Sequence, residues 1–105
     1  MANIARFAQT DDLIIVELAV LNNTAEGVRI CAHARRAHLI DQTTGEKWRA
    51  LLSGGELEEC GRLGANQSRG VWMRFKIPNA AKRTFSLSSE LFNSPIDNLL
   101  LGERP

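Results

Sequence analysis

The sequence predicts an all-β domain, a β-sandwich of about seven short antiparallel strands. Three observations favour this class: turn-forming residues recur at short intervals, β-branched residues are concentrated between the turns, and apolar and polar residues alternate in several segments. The chain has 105 residues, the usual size of one domain. We expect residues 1–105 to form a single domain with its own core.

The first part of the chain contains two predicted strands. Residues 4–8 are predicted to form a strand at the edge of a sheet. Residues 13–21 are rich in β-branched side chains and end at an Asn-Asn-Thr turn. Every second residue of this segment is apolar, as expected of a central strand. These apolar residues are Ile14, Val16, Leu18 and Val20.

Three more strands are predicted in the last third of the chain. In residues 71–77 the odd positions are apolar and are predicted to face the core, whereas Arg74 and Lys76 point outward. Residues 84–88 repeat the same alternation. Residues 96–101 are predicted to form a second edge strand.

A hairpin is predicted in the middle of the chain. Residues 39–41 and 47–51 flank a polar segment in which Gly45 supplies the positive φ of a tight turn. The strand count then reaches about seven, the number found in immunoglobulin-like sandwiches. The Ser-Gly-Gly-Glu sequence at 53–56 resembles a helix capping box, which predicts one short helical turn over residues 56–60.

Residues 28–38 fit two different structures. As a strand, the segment alternates until Arg35 and Arg36, where a β-bulge would re-aim the following side chains. As a helix, its three alanines and three arginines are all acceptable. We favour the strand with a bulge, because long strands of sandwiches are commonly irregular, and keep a basic helix as the alternative.

Three motifs in a fixed order carry a resemblance to a known family. They are Val-Leu-Asn-Asn at 20–23, Leu-Ile-Asp-Gln-Thr-Thr-Gly at 39–45, and the segment 63–78 that closes on Phe-Lys-Ile-Pro. The set resembles bacterial immunoglobulin-like domains of unknown function, found mostly in secreted proteins and lipoproteins and sharing their sandwich with a mycobacterial immunoprotective antigen. The resemblance implies an immunoglobulin-like fold and supplies no catalytic residues. The family's Pro-Gly before the late strand appears here as Gly-Ala-Asn at 64–66.

The location of the protein has two interpretations. Residues 1–6 lack the basic and apolar regions of a secretory leader, which predicts a cytoplasmic protein if the chain is taken as it stands. The resemblance instead implies an envelope or secreted location if a leader has been trimmed. No apolar run reaches the ~18–20 residues of a membrane-spanning helix, so none is predicted.

The sequence contains no recognisable catalytic motif. A nucleophile elbow, a Walker loop and a dinucleotide fingerprint are all absent, and we predict neither an enzyme nor a cofactor. Cys31, His33 and His38 are the candidate metal ligands, but their spacing matches no known metal motif, and no metal is predicted. Cys31 and Cys60 can form a disulfide or remain thiols. Free thiols are favoured, because nothing else indicates an oxidising compartment.

A basic surface with tryptophans is the candidate binding site. Its residues are Arg35, Arg36, Lys47, Trp48, Arg49 and Trp72. Tryptophan beside guanidinium groups suits an acidic peptide, a glycan or single-stranded nucleic acid, but the favoured interpretation is that Trp48 packs inward and its charged neighbours are simply solvated. The 13 basic and 12 acidic residues nearly balance, which argues against phosphate binding. The sequence therefore predicts a non-enzymatic interaction module that binds another protein. The alternative is a small nucleic-acid-binding domain that uses the basic segment 28–49.

Overall fold

The computed structural model describes residues 2–10, 12–55 and 60–101. Within these ranges the chain forms ten strands. They are β1 (Ala2–Thr10), β2 (Leu13–Leu21), β3 (Val28–Cys31), β4 (His38–Asp41), β5 (Lys47–Arg49), β6 (Leu52–Gly55), β7 (Cys60–Leu63), β8 (Ser68–Lys76), β9 (Thr84–Ser88) and β10 (Ile96–Leu100). The same ranges contain two short 3-10 turns, Ala34–Arg36 and Ala80–Lys82, and no α-helix. Among these residues no helix is long and apolar enough to cross a membrane.

The strands form two four-stranded sheets and a small two-stranded ribbon. Sheet I has the strand order β1-β2-β8-β6, sheet II has the order β10-β9-β4-β5, and the ribbon pairs β3 with β7. Every pair of neighbouring strands is antiparallel. The all-β prediction is therefore confirmed, but the described residues contain ten strands rather than about seven.

The hydrophobic core lies between sheet I and sheet II. Its largest fully buried side chains come from both sheets and include Ile14, Val16, Leu18, Met73, Phe75, Leu39, Phe85 and Leu87. The ring of Phe85 in β9 meets the ring of Phe7 in β1 edge to face, with the centroids 6.1 Å apart. This contact joins the two sheets directly. Burying each such side chain is worth about 1.5–3 kcal/mol relative to leaving it exposed.

The alternating segments of the sequence predict their strands well. The predicted strands 13–21 and 84–88 are β2 and β9, with the same bounds. The odd positions of residues 71–77 are buried, whereas Arg74 and Lys76 are exposed. Both predicted edge strands lie at sheet edges, as β1 and β10. Alternation succeeds here because each strand buries only one of its two faces.

Residues 28–38 adopt neither predicted structure over their full length. Strand β3 ends at Cys31, a 3-10 turn covers Ala34–Arg36, and β4 begins at His38. The basic helix is therefore wrong, and the strand is right only for the first four residues. The 3-10 turn, rather than a bulge, re-aims the chain and carries it from the ribbon into sheet II.

The ribbon contains a disulfide between Cys31 and Cys60, which are directly paired residues of β3 and β7. The favoured prediction of two free thiols is therefore wrong. The two cysteines are 29 residues apart in the sequence. In the chain-entropy model, closing a loop of this length in the unfolded chain stabilises the fold by about 3–4 kcal/mol.

Two strands, β6 and β7, are not predicted from the sequence. Both contain glycine, which interrupts the apolar alternation that identifies a strand. The helical turn predicted over residues 56–60 falls mostly on residues 56–59, which lie outside the described part of the chain. Cys60 itself begins β7, and the Ser53 hydroxyl of the supposed capping box donates a hydrogen bond to the Ala32 carbonyl at 2.8 Å.

A buried asparagine joins the end of β2 to the ribbon. The side-chain amide of Asn22 donates to the carbonyls of Glu26, Leu63 and Gly64 at 2.7, 3.1 and 3.1 Å. Its Oδ1 accepts from the backbone N–H of Thr24 at 3.1 Å and from the Thr24 hydroxyl at 2.6 Å. Because both ends of the amide are used, this buried polar group holds one conformation of the loops around it.

We expect Asn22→Asp to destabilise the domain more than Asn22→Ala. Alanine leaves buried carbonyls without a donor, at a cost of about 1–3 kcal/mol, whereas aspartate also sets a carboxylate against the carbonyl oxygens of Leu63 and Gly64. Urea unfolding followed by circular dichroism measures both losses. Asn23→Asp, at the exposed neighbouring position, is the control and should change stability little. An equal loss in the two Asn22 variants would contradict this role of the amide.

Candidate functional site

Trp48 lies on β5 and packs inward. Its ring meets the Phe85 ring edge to face with centroids 6.2 Å apart, and the side chain is one of the half-buried residues that pack against the core. The guanidinium of Arg83 covers the Trp48 ring at 4.9 Å from its centroid. Trp48 is thus part of the wall of the core, and a cation already occupies a face of its ring.

The predicted hairpin supplies Asp41, which binds the Arg83 guanidinium that covers Trp48. Gly45 has a φ of 79° at the turn between β4 and β5, as its position in the hairpin predicts. Asp41 Oδ1 accepts the backbone N–H groups of Thr43 and Thr44 at 2.7 and 3.1 Å, and Oδ2 accepts from Arg83 at 2.8 Å. The hydrogen bond from the Thr44 N–H, followed by those from Thr43 and Arg83, holds the pKa of Asp41 below its ordinary value.

The basic residues of the predicted surface come together only in part. Lys47 and Arg49 are exposed on β5, the edge strand of sheet II. Arg35 and Arg49 line the same shallow groove of about 360 Å³. Arg36 instead approaches Glu90, with 3.8 Å between its Nη1 and the carboxylate Oε1. Three of the predicted cations therefore lie near one another, and the fourth pairs with an acid.

Trp72 lies on the outer face of sheet I, in a different sheet from Trp48, as its place in the alternation of residues 71–77 predicts. Its six-membered ring rests on Gly54, where an added Cβ would come within 2.6 Å of the ring. The guanidinium of Arg74 covers the indole at 4.8 Å. The contacts with the Gly54 backbone and with the Arg74 guanidinium together hold this half-buried indole in one orientation.

A shallow groove of about 480 Å³ lies beside Trp72 on the same face. Its lining includes Ala5, Glu17, Ala19, Gly70 and the indole itself. Ala19 and Gly70 are directly paired on β2 and β8, and their small side chains leave the surface low at this point. The groove is therefore mainly apolar, with the Glu17 carboxylate as its acidic lining residue.

Two consecutive leucines are exposed, and the second of them lies near this groove. Leu51 and Leu52, at the passage from β5 into β6, are 61% and 52% exposed. Leu52 is directly paired with Arg74, which brings it to the neighbourhood of Trp72. Exposed large apolar residues beside tryptophan and arginine are typical of protein-binding surfaces. The exposure of these leucines is not predicted from the sequence. Leu51 ends the predicted strand 47–51, and nothing in the pattern indicates that it or Leu52 lies in solvent.

A second group of reactive side chains lies at the ribbon. Cys31 Sγ, Cys60 Sγ and a ring nitrogen of His33 all lie within 4.8 Å of one another. His33 Nε2 is 3.7 Å from Cys60 Sγ, and His33 Nδ1 is 2.8 Å from a carboxylate oxygen of Glu90. The same carboxylate oxygen accepts the backbone N–H of His33 at 2.7 Å. The imidazole is thus oriented with one nitrogen toward sulfur and the other toward a carboxylate.

The structure revises the set of candidate metal ligands. Cys31 and His33 do come together, although β3 ends at Cys31 and His33 lies beyond the strand. His38 is not part of the group within the described residues, and Cys60 takes its place. No sequence signal indicates Cys60 or Glu90, because each is brought to His33 by long-range folding, across 27 and 57 residues respectively.

No protein family, curated protein or solved structure matches this chain in the comparisons with known proteins. The resemblance to bacterial immunoglobulin-like domains therefore depends on the three sequence motifs alone. The function is inferred below from the surfaces and side chains just described.

The pKa of His38 offers a test of the basic surface. Burial, followed by the positive charges of Lys47 and Arg49, holds this pKa below its ordinary value of 6.5. The unfolded chain then binds the proton more readily than the folded one. The stability that neutral His38 contributes is present above about pH 6.5 and is lost as the pH falls through the lower folded pKa.

We expect the free energy of unfolding to fall as the pH is lowered below about 6.5, and to fall less in His38→Gln. An NMR titration should show a higher His38 pKa in the double variant Lys47→Gln/Arg49→Gln, because two repulsive charges are removed. Arg69→Gln, on β8 of sheet I, is the control and should leave the titration unchanged. A His38 pKa that does not move in the double variant would contradict the electrostatic coupling.

Proposed function

We propose that the chain is an immunoglobulin-like sandwich that acts as a non-enzymatic binding module for another protein. The strand order supports the fold. Immunoglobulin domains place strands A, B, E and D in one sheet and C, F and G in the other, and some add C′. When β3 and β7 are set aside and the rest are lettered in chain order, sheet I corresponds to A-B-E-D and sheet II to G-F-C-C′.

Two features distinguish the chain from antibody domains. The ribbon of β3 and β7 is an addition to the eight-strand order. The disulfide joins Cys31 and Cys60 within that ribbon, whereas antibody domains join strands B and F. The three motifs of the bacterial family fall at the end of β2, on the β4–β5 hairpin, and from the end of β7 through β8. Membership of that family, with its secreted location, belongs to the same proposal.

The observation that carries the binding proposal is the fixed, half-exposed indole of Trp72. An indole held by Gly54 and Arg74 loses little conformational freedom when a partner binds, so more of its contact energy remains as affinity. Tryptophan and arginine are also the residue types that contribute most to protein interfaces. The groove beside Trp72 and the exposed Leu52 extend the contact area on both sides. We call Trp72, Arg74, Leu52, Ala19 and Gly70 the Trp72 surface.

The chemistry of the Trp72 surface defines the partner. The low, apolar region around Ala19 and Gly70 accepts an apolar side chain. Arg74 stacks on the indole and keeps its charge, so a carboxylate of the partner is favoured next to Arg74 and away from Glu17, the acidic residue of the groove. The partner that fits is a protein segment in which an apolar residue and an acidic residue lie close together.

Nucleic acid is the second candidate, on one observation. Arg35 and Arg49 share a groove, and Lys47 is exposed on the same edge strand as Arg49. An aromatic side chain free to stack on bases is the other usual requirement of single-strand binding. Trp48 is packed on Phe85 and covered by Arg83, so the tryptophan of the predicted basic surface is not free to stack on bases. The protein partner is therefore favoured.

Peptide display tests the proposed surface. A random peptide library is selected on the immobilised wild-type domain. We expect enriched peptides to combine an apolar residue with Asp or Glu. Their affinity should fall at least about tenfold for Trp72→Ala, which removes the central contact. It should also fall for Ala19→Leu, which fills the groove from an exposed position and leaves the core untouched.

Leu100→Ala is the matched control, because it removes a 42% exposed leucine from β10 of sheet II. Its affinity for the peptides should equal that of the wild type. Peptides that bind Trp72→Ala and Ala19→Leu as tightly as the wild type would overturn the assignment of this surface. Failure to enrich peptides, together with salt-dependent binding of single-stranded DNA that Lys47→Glu/Arg49→Glu abolishes, would favour the nucleic-acid function instead.

A further inference from the structure

One sulfur and one imidazole nitrogen at the ribbon have the separation of two ligands of a metal ion. Zn²⁺ binds thiolate sulfur at about 2.3 Å and imidazole nitrogen at about 2.0–2.1 Å, so tetrahedral ligands lie about 3.5–3.8 Å apart. His33 Nε2 and Cys60 Sγ are already 3.7 Å apart. The Cα atoms of Cys31 and Cys60 are 4.0 Å apart, which lets both sulfurs reach one ion by side-chain rotation.

The carboxylate of Glu90 orients the imidazole for metal binding. Nδ1 of His33 faces Glu90 Oε2 at 2.8 Å, and donating its proton there places the ring lone pair on Nε2, the nitrogen that faces Cys60. A metal-bound histidine usually donates its second ring nitrogen to a carboxylate in this way. Glu90 is itself held by the backbone N–H of His33 and by Arg36. The orientation is therefore built into the oxidised protein.

We propose that reduction of the Cys31–Cys60 disulfide creates a site for one Zn²⁺ ion, bound by both sulfurs and His33 Nε2. A thiol reductant delivers two electrons and two protons, which convert the disulfide into two thiols while the reductant leaves as its own disulfide. Zn²⁺ then replaces the two thiol protons, which are released to water. A water molecule completes the tetrahedron. In the reverse direction, exchange with a small-molecule disulfide passes two electrons to that disulfide, which leaves as two thiols, re-forms the Cys31–Cys60 bond and releases the ion.

Zn²⁺ is the metal favoured by this donor set. Two thiolates and one imidazole are soft and borderline ligands, which suit Zn²⁺ and disfavour Mg²⁺ and Ca²⁺. The two thiolates also balance the charge of a divalent ion in this group, whose three ligand residues are half-buried. This inference is independent of the Trp72 surface, since none of its residues belongs to that surface.

Titration of the full chain with Co²⁺ tests the site. The protein is reduced anaerobically with a phosphine, and Co²⁺ is added as a spectroscopic substitute for Zn²⁺. We expect thiolate-to-cobalt charge-transfer and tetrahedral visible bands that saturate at one ion per chain and disappear when Zn²⁺ is added. The oxidised protein should show neither band. Failure of the reduced protein to bind either ion would overturn the proposal.

Variants assign the ligands and the orienting group. His33→Ala should weaken Zn²⁺ binding strongly and change the Co²⁺ spectrum, and Glu90→Gln should weaken it by about 10–100-fold with the spectrum retained. His38→Gln, which changes the other histidine of the chain, should leave both affinity and spectrum as in the wild type. Unchanged binding in His33→Ala would exclude the imidazole and overturn the proposed site.

Two further measurements keep the test decisive if a variant or the reduced chain loses its fold. Circular dichroism follows the β-sheet signal on reduction and again after Zn²⁺ is added. Zn²⁺ that restores a lost signal supports the site, as in other metal-dependent folds, whereas a chain that stays unfolded overturns it. In the wild type, the ¹⁵N signal of His33 Nε2 should shift when Zn²⁺ is added to the reduced protein. An unshifted signal counts against the proposal without any substitution.

Discussion

The contact between the apolar faces of the two sheets is the constraint from which the other features follow. Every second residue of β2 and β8 points from sheet I into this space, and Phe85 and Leu87 of β9 fill it from sheet II. The Phe7–Phe85 contact shows that even the edge strand β1 takes part. Because the side-chain period of a strand is two residues, this burial also decides which residues remain outside.

The outward positions of the Trp72 surface are a direct result of this constraint. Val71 and Met73 are buried, so Trp72 between them must lie on the opposite face of β8. Its indole would extend into solvent unless a neighbour left room beside it, and Gly54 on β6 leaves that room. The absence of a side chain on one strand thus sets the orientation of the largest side chain on the next.

The parts of the fold that the sequence predicts are those in which one buried face leaves a regular pattern. Strands β2, β8 and β9 are of this kind, and the turn at Gly45 has its own conformational signal. β7 of the ribbon is short and contains a glycine, and β6 contains two, so neither strand leaves an apolar alternation. The candidate sites were harder to predict, because the neighbours of Trp48 and His33 come from distant segments. Arg83 and Glu90 reach them only in the folded chain.

The position of the disulfide has a consequence for the domain under load. The loop between Cys31 and Cys60 contains β4 and β5 of sheet II and β6 of sheet I, so one covalent ring passes through both layers. A chain pulled from its two ends transmits tension across the sulfur bridge, which shields the residues inside this ring from the load. The 29-residue separation between the cysteines therefore does not extend. At ~3.3–3.6 Å per residue, the stretched chain is shorter by about 100 Å. Reduction would release this hidden length, so the reach of the extended molecule depends on its redox state.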